Sequence, residues 1–211
     1  MIKKIIVGQL QANCYVIYNE DLKEAFLVDP GDDAKKINRF LKEKELSLKG
    51  IFLTHGHIDH IGGTHSFLVE QPSLPIYIHH EDAVFLTKAD MNLSSSFNKG
   101  NYILKPQNLI TLNDLEVVSV AGFEVVCHHF PGHTPGSCMY FIEDEHVIFS
   151  GDVLFNKAIG RFDLPYGNRM DTIQTLRKIK AITKDYDVYP GHEQKTTLQE
   201  EIQENPYILQ V

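Results

Sequence analysis

Apolar positions along the chain fall into short runs separated by Gly, Pro, Asp and Asn, the pattern of strands joined by turns. Extended runs are predicted at about 2–8, 13–18 and 25–29, closed by the turn Asp29-Pro30-Gly31. Asp32 or Asp33 then caps a helical pattern that places Ile37, Phe40 and Leu41 on one face. A strand at 50–54 is followed by a helix opening at His60 and running to about Glu70, then a short strand from Ile76 to Ile78 and a helical turn at 81–87. Residues 88–113 carry Ser94-Ser95-Ser96 and Asn98-Lys99-Gly100-Asn101 without periodicity, so a lid, a mobile loop or a dimer contact is expected there.

The second half is strand-rich, at about 115–120, 123–129, 138–143 and 146–150, with reversals at Ala121-Gly122 and Glu143-Asp144. A helix at about 171–183 begins at or just before Asp171, a strand at 187–190 follows, and Thr196 or Thr197 caps a last helix. Strands grouped ahead of helices in each half suit two sheets packed face to face with helices outside. The expectation is an α/β protein, a four-layer αββα sandwich in one domain spanning 1–211.

Composition narrows the function. With 211 residues, 43% of them apolar, the chain can bury a sizeable core. Twenty basic and 28 acidic residues give a net charge of −8, which argues against nucleic acid as the main partner. No apolar run approaches the roughly 18 residues of a membrane span. Lys3-Lys4 is followed only by the short Ile5-Ile6-Val7, so neither a signal peptide nor a membrane partner is expected. Cys14, Cys127 and Cys138 are odd in number and widely spaced, which suits reduced, buried thiols and a cytoplasmic location.

The densest chemistry is Thr54-His55-Gly56-His57-Ile58-Asp59-His60, three imidazoles and a carboxylate within six residues. So short a loop cannot direct all four groups at one ion, but alternate residues can serve two ions a few ångströms apart. Imidazole with carboxylate suits zinc, iron or manganese better than calcium or magnesium. Three later strand ends each add one ligand: His133 between Pro131-Gly132 and Pro135-Gly136, Asp152 after Val147–Gly151, and His192 after Pro190-Gly191. Five His and two Asp match two metals sharing Asp152, with positions left for water. Metal binding lowers the pKa of water from 15.7 to roughly 7, which makes hydroxide available at neutral pH.

These residues resemble the metallo-β-lactamase-fold hydrolase superfamily, whose H-x-H-x-D-H signature is matched by His55, His57, Asp59 and His60. They are most similar to its glyoxalase II (hydroxyacylglutathione hydrolase) branch, through Pro131–Ser137, Ser150–Phe155 and Pro190–Glu193. The resemblance implies a first metal on His55, His57 and His133, a second on Asp59, His60 and His192, and Asp152 as bridge. It implies two divalent ions, zinc foremost and iron or manganese as alternatives. Asp59 and Asp152 take catalytic roles in the attack of a metal-bridging hydroxide on a small anionic thioester such as S-lactoylglutathione. Arg161 falls where that branch places a basic residue near the metals, and Lys157 is a weaker candidate for the same task; for Arg161 a structural salt bridge with Asp163 or Asp171 is the alternative.

Departures from the branch matter as well. The chain stops at Val211, where full-length glyoxalase II continues into a helical domain, and Gln194 stands where a glutathione-contacting Tyr is typical; the end resembles the short bacterial branch. The commonest class B β-lactamases carry Cys at the place of Asp152, which argues against antibiotic hydrolysis. A persulfide dioxygenase of the same fold, with one iron on His55, His133 and Asp152, and a lactonase or other ester hydrolase are the competing readings. Asp29 is a candidate brace for a ligand imidazole or for the 54–60 loop, against simple turn chemistry. Glu193, His65, His79, His80, His128, His129 and His146 read as ordinary solvated or strand residues.

Overall fold

The computed structural model describes residues 1–97 and 100–211; Asn98 and Lys99, part of the polar stretch noted above, lie outside the described residues. One six-stranded sheet has the order β1 (Ile2–Val7), β2 (Ala12–Asn19), β3 (Glu24–Val28), β4 (Ser47–Leu53), β5 (Ile76–His79), β6 (Leu109–Leu112). The second is built from the later part of the chain: β7 (Glu116–Val120), β8 (Phe123–His129), β9 (Cys138–Ile142), β10 (Val147–Gly151), β13 (Asp187–Pro190) and β14 (Thr196–Thr197), with a small hairpin of β11 (Leu154–Phe155) and β12 (Ala158–Ile159) beyond β10.

Both faces of each sheet are covered, which is why the central strands read as unbroken apolar runs. In β4 the middle residue, Phe52, enters the layer between the sheets, while Ile51 and Leu53 enter the layer beneath α1 (Ala34–Glu43) and α3 (Thr64–Glu70). In the same way Tyr15 and Ile17 face the other sheet, and Cys14 and Val16 face the helices. Phe52 stacks on Tyr77 at 4.4 Å and meets Tyr140 of the opposite sheet edge-on at 5.1 Å. Each such buried ring contributes about 1.5–3 kcal/mol. Outside the second sheet, Met139, Phe141, Ile148 and Val188 pack with Leu176 and Ile179 of α4 (Arg169–Lys180) and Leu198 of α5 (Leu198–Glu204). The arrangement is the expected α/β sandwich.

Several boundaries differ from the sequence reading. The helix expected from His60 is two pieces, α2 (Ile58–Ile61) and α3, interrupted at Gly62-Gly63. A side chain there would strike the 30–31 turn, since a Cβ on Gly62 falls 2.5 Å from the Gly31 carbonyl and one on Gly63 2.5 Å from that of Pro30. Helix α4 starts at Arg169, because the Asn168 side chain accepts from the amides of Met170 and Asp171. Asp33 occupies the N-cap position of α1 without a side-chain cap bond, whereas Thr197 caps α5 by accepting from the Glu200 amide. The 88–113 stretch is not structureless. Asn92 is buried and donates to the carbonyls of Phe85 and Tyr102, Leu104 is buried, and β6 closes the first sheet.

Parallel pairing of β3 with β4 and of β10 with β13 brings four carboxyl ends to one edge of the sandwich. Those ends carry Asp29, the 54–60 loop, Asp152 and His192. No helix among the described residues is long and apolar enough to cross a membrane. The three cysteines are free and buried.

Candidate metal centre

Three strand ends and the loop before β9 direct His55, His57, Asp59, His60, His133, Asp152 and His192 into one cleft. Nitrogens of His55, His57 and His133 lie within 4.8 Å of one another, as do ligand atoms of Asp59, His60 and His192. Asp152 stands between the two groups: Oδ1 is 3.3 Å from His60 Nε2, and Oδ2 is 3.6 Å from His133 Nε2 and 3.7 Å from His192 Nε2. Close approach of the strand ends depends on glycine. Gly151 has φ +50°, and a Cβ there would lie 2.3 Å from Thr54 Oγ1; one on Gly191 would lie 2.3 Å from Asp152 Oδ1.

Three of the five imidazoles are oriented through their other ring nitrogen. The Nδ1 of His60 is 2.9 Å from Asp29 Oδ2, that of His133 is 2.7 Å from the Arg161 carbonyl, and that of His55 is 3.1 Å from Thr54 Oγ1. Asp29 also accepts from the Thr54 amide and hydroxyl, so it braces the loop and one ligand together. His57 Nδ1 and His133 Nε2 face each other at 2.9 Å, a spacing that holds either one shared proton or one cation. His55 Nε2, His60 Nε2 and Asp152 Oδ1 are buried without a hydrogen-bond partner. Buried polar atoms are rarely left so, and a divalent cation answers such a set.

Burial and neighbouring charges set the protonation of the ligand groups. Burial, reinforced by neighbouring imidazoles, pushes His55 and His57 well below the ordinary histidine range and keeps them neutral. Burial opposes the charge on Asp59, but His60 and His192 outweigh it and hold the carboxyl well below the usual carboxylate range. Burial likewise opposes a charge on His60, but Asp152, Asp59 and Asp29 push it up to about 10. Neutral imidazole and ionised carboxylate are the states that bind zinc, iron or manganese, so His55, His57 and Asp59 already stand in the binding state, whereas an ion taken up at His60 must displace the proton that its three carboxylate neighbours hold there.

Of the remaining sequence candidates, Arg161 lines the cleft, but its exposed guanidinium makes two bonds to Asp163, at 2.9 and 3.1 Å. Lys157 turns away to the carboxylates of α5, with Glu200 at 2.9 Å and Glu204 at 3.2 Å. Glu193 lines the cleft, and its carbonyl accepts from Lys4 and Asn13. His79 stacks on His129 at 4.0 Å, and with Glu81 they form a separate small group. His128 packs on Phe141.

Asp82 escaped the sequence reading. Fully buried, it accepts from the amides of Gly56 and Gly136 and from Thr134 Oγ1, tying the His55–His60 loop to the His133 loop. Burial pushes its carboxyl up to about 6, against these bonds, so it is ionised at neutral pH. Its only trace in the sequence is an acid in the helical turn after β5.

The sequence profile of the metallo-beta-lactamase superfamily matches residues 7–192. A probable metallo-hydrolase of Bacillus subtilis, YqgX, is 33% identical over 207 residues, covering 98% of this chain and 96% of that protein. The hydroxyacylglutathione hydrolase GloC of Haemophilus influenzae is 32% identical over 208 residues, covering 98% and 97%. Among solved structures, that of the BLEG-1 B3 metallo-beta-lactamase superposes with a TM-score of 0.89 at 36% identity, covering 99% of each chain. TTHA1623 in a di-iron-bound form gives a TM-score of 0.82 at 30% identity, covering 97% of this chain and 99% of that one. Two facing sheets, seven ligand-competent side chains at one edge and a profile match across nearly the whole chain place this protein in the metallo-beta-lactamase superfamily.

Proposed function

We propose that this protein is a metal-dependent hydrolase that cleaves a small anionic thioester, S-lactoylglutathione in type. The observation that carries the reading is the pair of ligand groups meeting at Asp152 with their buried nitrogens unpartnered, in a cleft of about 650 Å³. His55, His57 and His133 would hold one divalent ion and Asp59, His60 and His192 another, zinc foremost, with Asp152 touching both. Bound there, such ions supply water of lowered pKa and polarise a carbonyl. The chain's own groups do the rest. Asp59, ionised and 3.3 Å from His192 Nε2, orients the attacking water. Asp29, Thr54 and the Arg161 carbonyl hold the imidazoles in one tautomer. The near full-length likeness to a hydroxyacylglutathione hydrolase supports the thioester as substrate.

The test is loss of thioester absorbance from S-D-lactoylglutathione by protein of known metal content. Fast turnover that a chelator abolishes and zinc restores is the expected result. A two-metal protein without turnover would discard glutathione thioesters. A one-iron protein that consumes oxygen with a persulfide would replace the reading with the dioxygenase.

At the cleft wall, Arg161 must leave Asp163 to grip a substrate carboxylate. Both side chains are exposed, so that exchange costs little. Arg161→Ala is expected to raise KM for the anionic thioester about tenfold, the effect of one charged hydrogen bond, with metal content unchanged. An unchanged KM leaves Arg161 as a structural ion pair. A second reading, β-lactam hydrolysis, draws on the 36% identity to a structure described as a B3 metallo-beta-lactamase. Hydrolysis of a chromogenic cephalosporin faster than of the thioester would favour it.

A further inference from the structure

His192 is held differently from the other ligands. His55, His60 and His133 are each oriented by a bond to Nδ1. His192 meets Asp59 and Asp152 through Nε2 and, among the described residues, makes no bond through Nδ1. Its side chain, 22% exposed, is also the most open of the five ligand imidazoles. The direction of this ring therefore comes from its backbone.

That backbone is under restraint. Glu193, the next residue, has φ +65°, in the left-handed region that side chains disfavour. Glycine would take this conformation freely, yet a glutamate stands there, so its surroundings impose it. The first hairpin supplies the hold. Asn13, buried near the start of β2, donates from Nδ2 to the Pro190 carbonyl at 2.9 Å and to the Glu193 carbonyl at 3.1 Å. Its backbone amide donates to the Gly191 carbonyl at 2.7 Å. One residue thus bonds the chain on both flanks of His192. Tyr15 Oη adds a second bond to Pro190 at 2.7 Å, and Lys4 Nζ a second to Glu193 at 3.0 Å. From the side of Asp152, the Gly151 carbonyl accepts from the Gly191 amide at 2.8 Å.

We propose that Asn13 is a positioning residue for the second metal ion: it fixes the 190–193 turn, with Glu193 in its left-handed conformation, and so aims His192 at the ion shared with Asp59 and His60. The assignment rests on the two-metal reading above. Lys4 and Tyr15 support Asn13 by securing the same two carbonyls.

The experiment titrates zinc into the metal-free protein against a chromogenic chelator, so that each binding step is read without turnover. The parent should take up two ions; uptake of one would overturn the two-metal reading and this inference with it. In Asn13→Ala one step should weaken by about 10–100-fold, the scale of losing a group that orients a ligand, while the other step stays unchanged. Adding Glu193→Gly to that variant should recover part of the loss, because glycine needs no restraint at a positive φ. Lys4→Met, at an exposed position, should weaken the same step by about threefold, the scale of one hydrogen bond. Equal weakening of both steps, or a loss that Glu193→Gly does not recover, would make Asn13 a general support of the fold and overturn the assignment. Unchanged zinc affinity in a two-zinc protein would overturn it and leave the two-metal reading intact. Should Asn13→Ala fail to fold, Lys4→Met decides by the same outcomes.

Discussion

Replacing Asp152 with alanine is expected to lower thioester turnover by roughly 10²–10³-fold, the scale of losing one preorganised charged group at a reacting centre. Asp152 approaches His60 from one ligand group and His133 from the other, and its Oδ1 makes no hydrogen bond. Removing it therefore takes a ligand from both groups, and metal content should fall below two per chain. Asp152→Asn separates shape from charge, because the amide fills the space but no longer offsets two cations. Elemental analysis beside steady-state kinetics checks both. Full metal content with unchanged turnover in Asp152→Ala would contradict its place between the ions.

Asp82→Ala should be the more damaging change to the fold. It strands two buried amides, at about 1–3 kcal/mol for each unsatisfied group, and takes one of two partners from the Thr134 hydroxyl, which keeps Ser137 Oγ at 2.7 Å. A loss of roughly 3–5 kcal/mol is expected, read from the urea midpoint at constant slope. Asp82→Asn should not rescue it, because both carboxylate oxygens accept from amides and an amide side chain would turn one acceptor into a donor. Since Asp82 joins the two loops that carry His55, His57 and His133, zinc affinity should fall as well, by about 10–100-fold. A stability loss below about 1 kcal/mol would show that the loops hold their places without it.

How much of this was legible beforehand depended on sequence distance. His55 to His60 are nearly contiguous, and His133, Asp152 and His192 each follow an apolar run, so local pattern sufficed. Asp82 works across 26 residues to Gly56 and 54 to Gly136, and no local pattern carries that. The break between α2 and α3 has the same origin: Gly62 and Gly63 are required by the 30–31 turn packed on them, which helical periodicity cannot register. In the 88–113 stretch polar composition suggested a loose excursion, yet Asn92 and Ser94 are buried because they satisfy backbone groups there. Resemblance of the 155–163 stretch to the glyoxalase II branch drew attention to Lys157, but direction is set by the acidic face of α5, to which its ammonium turns.

Two metal ions are proposed to share this one cleft. Anomalous scattering from crystals of the zinc-loaded protein, recorded on either side of the zinc edge, tests it most directly. Two peaks are expected, one among His55, His57 and His133 and one among Asp59, His60 and His192, with Asp152 reaching both. A single peak, or zinc bound instead at His79, Glu81 and His129, would contradict it.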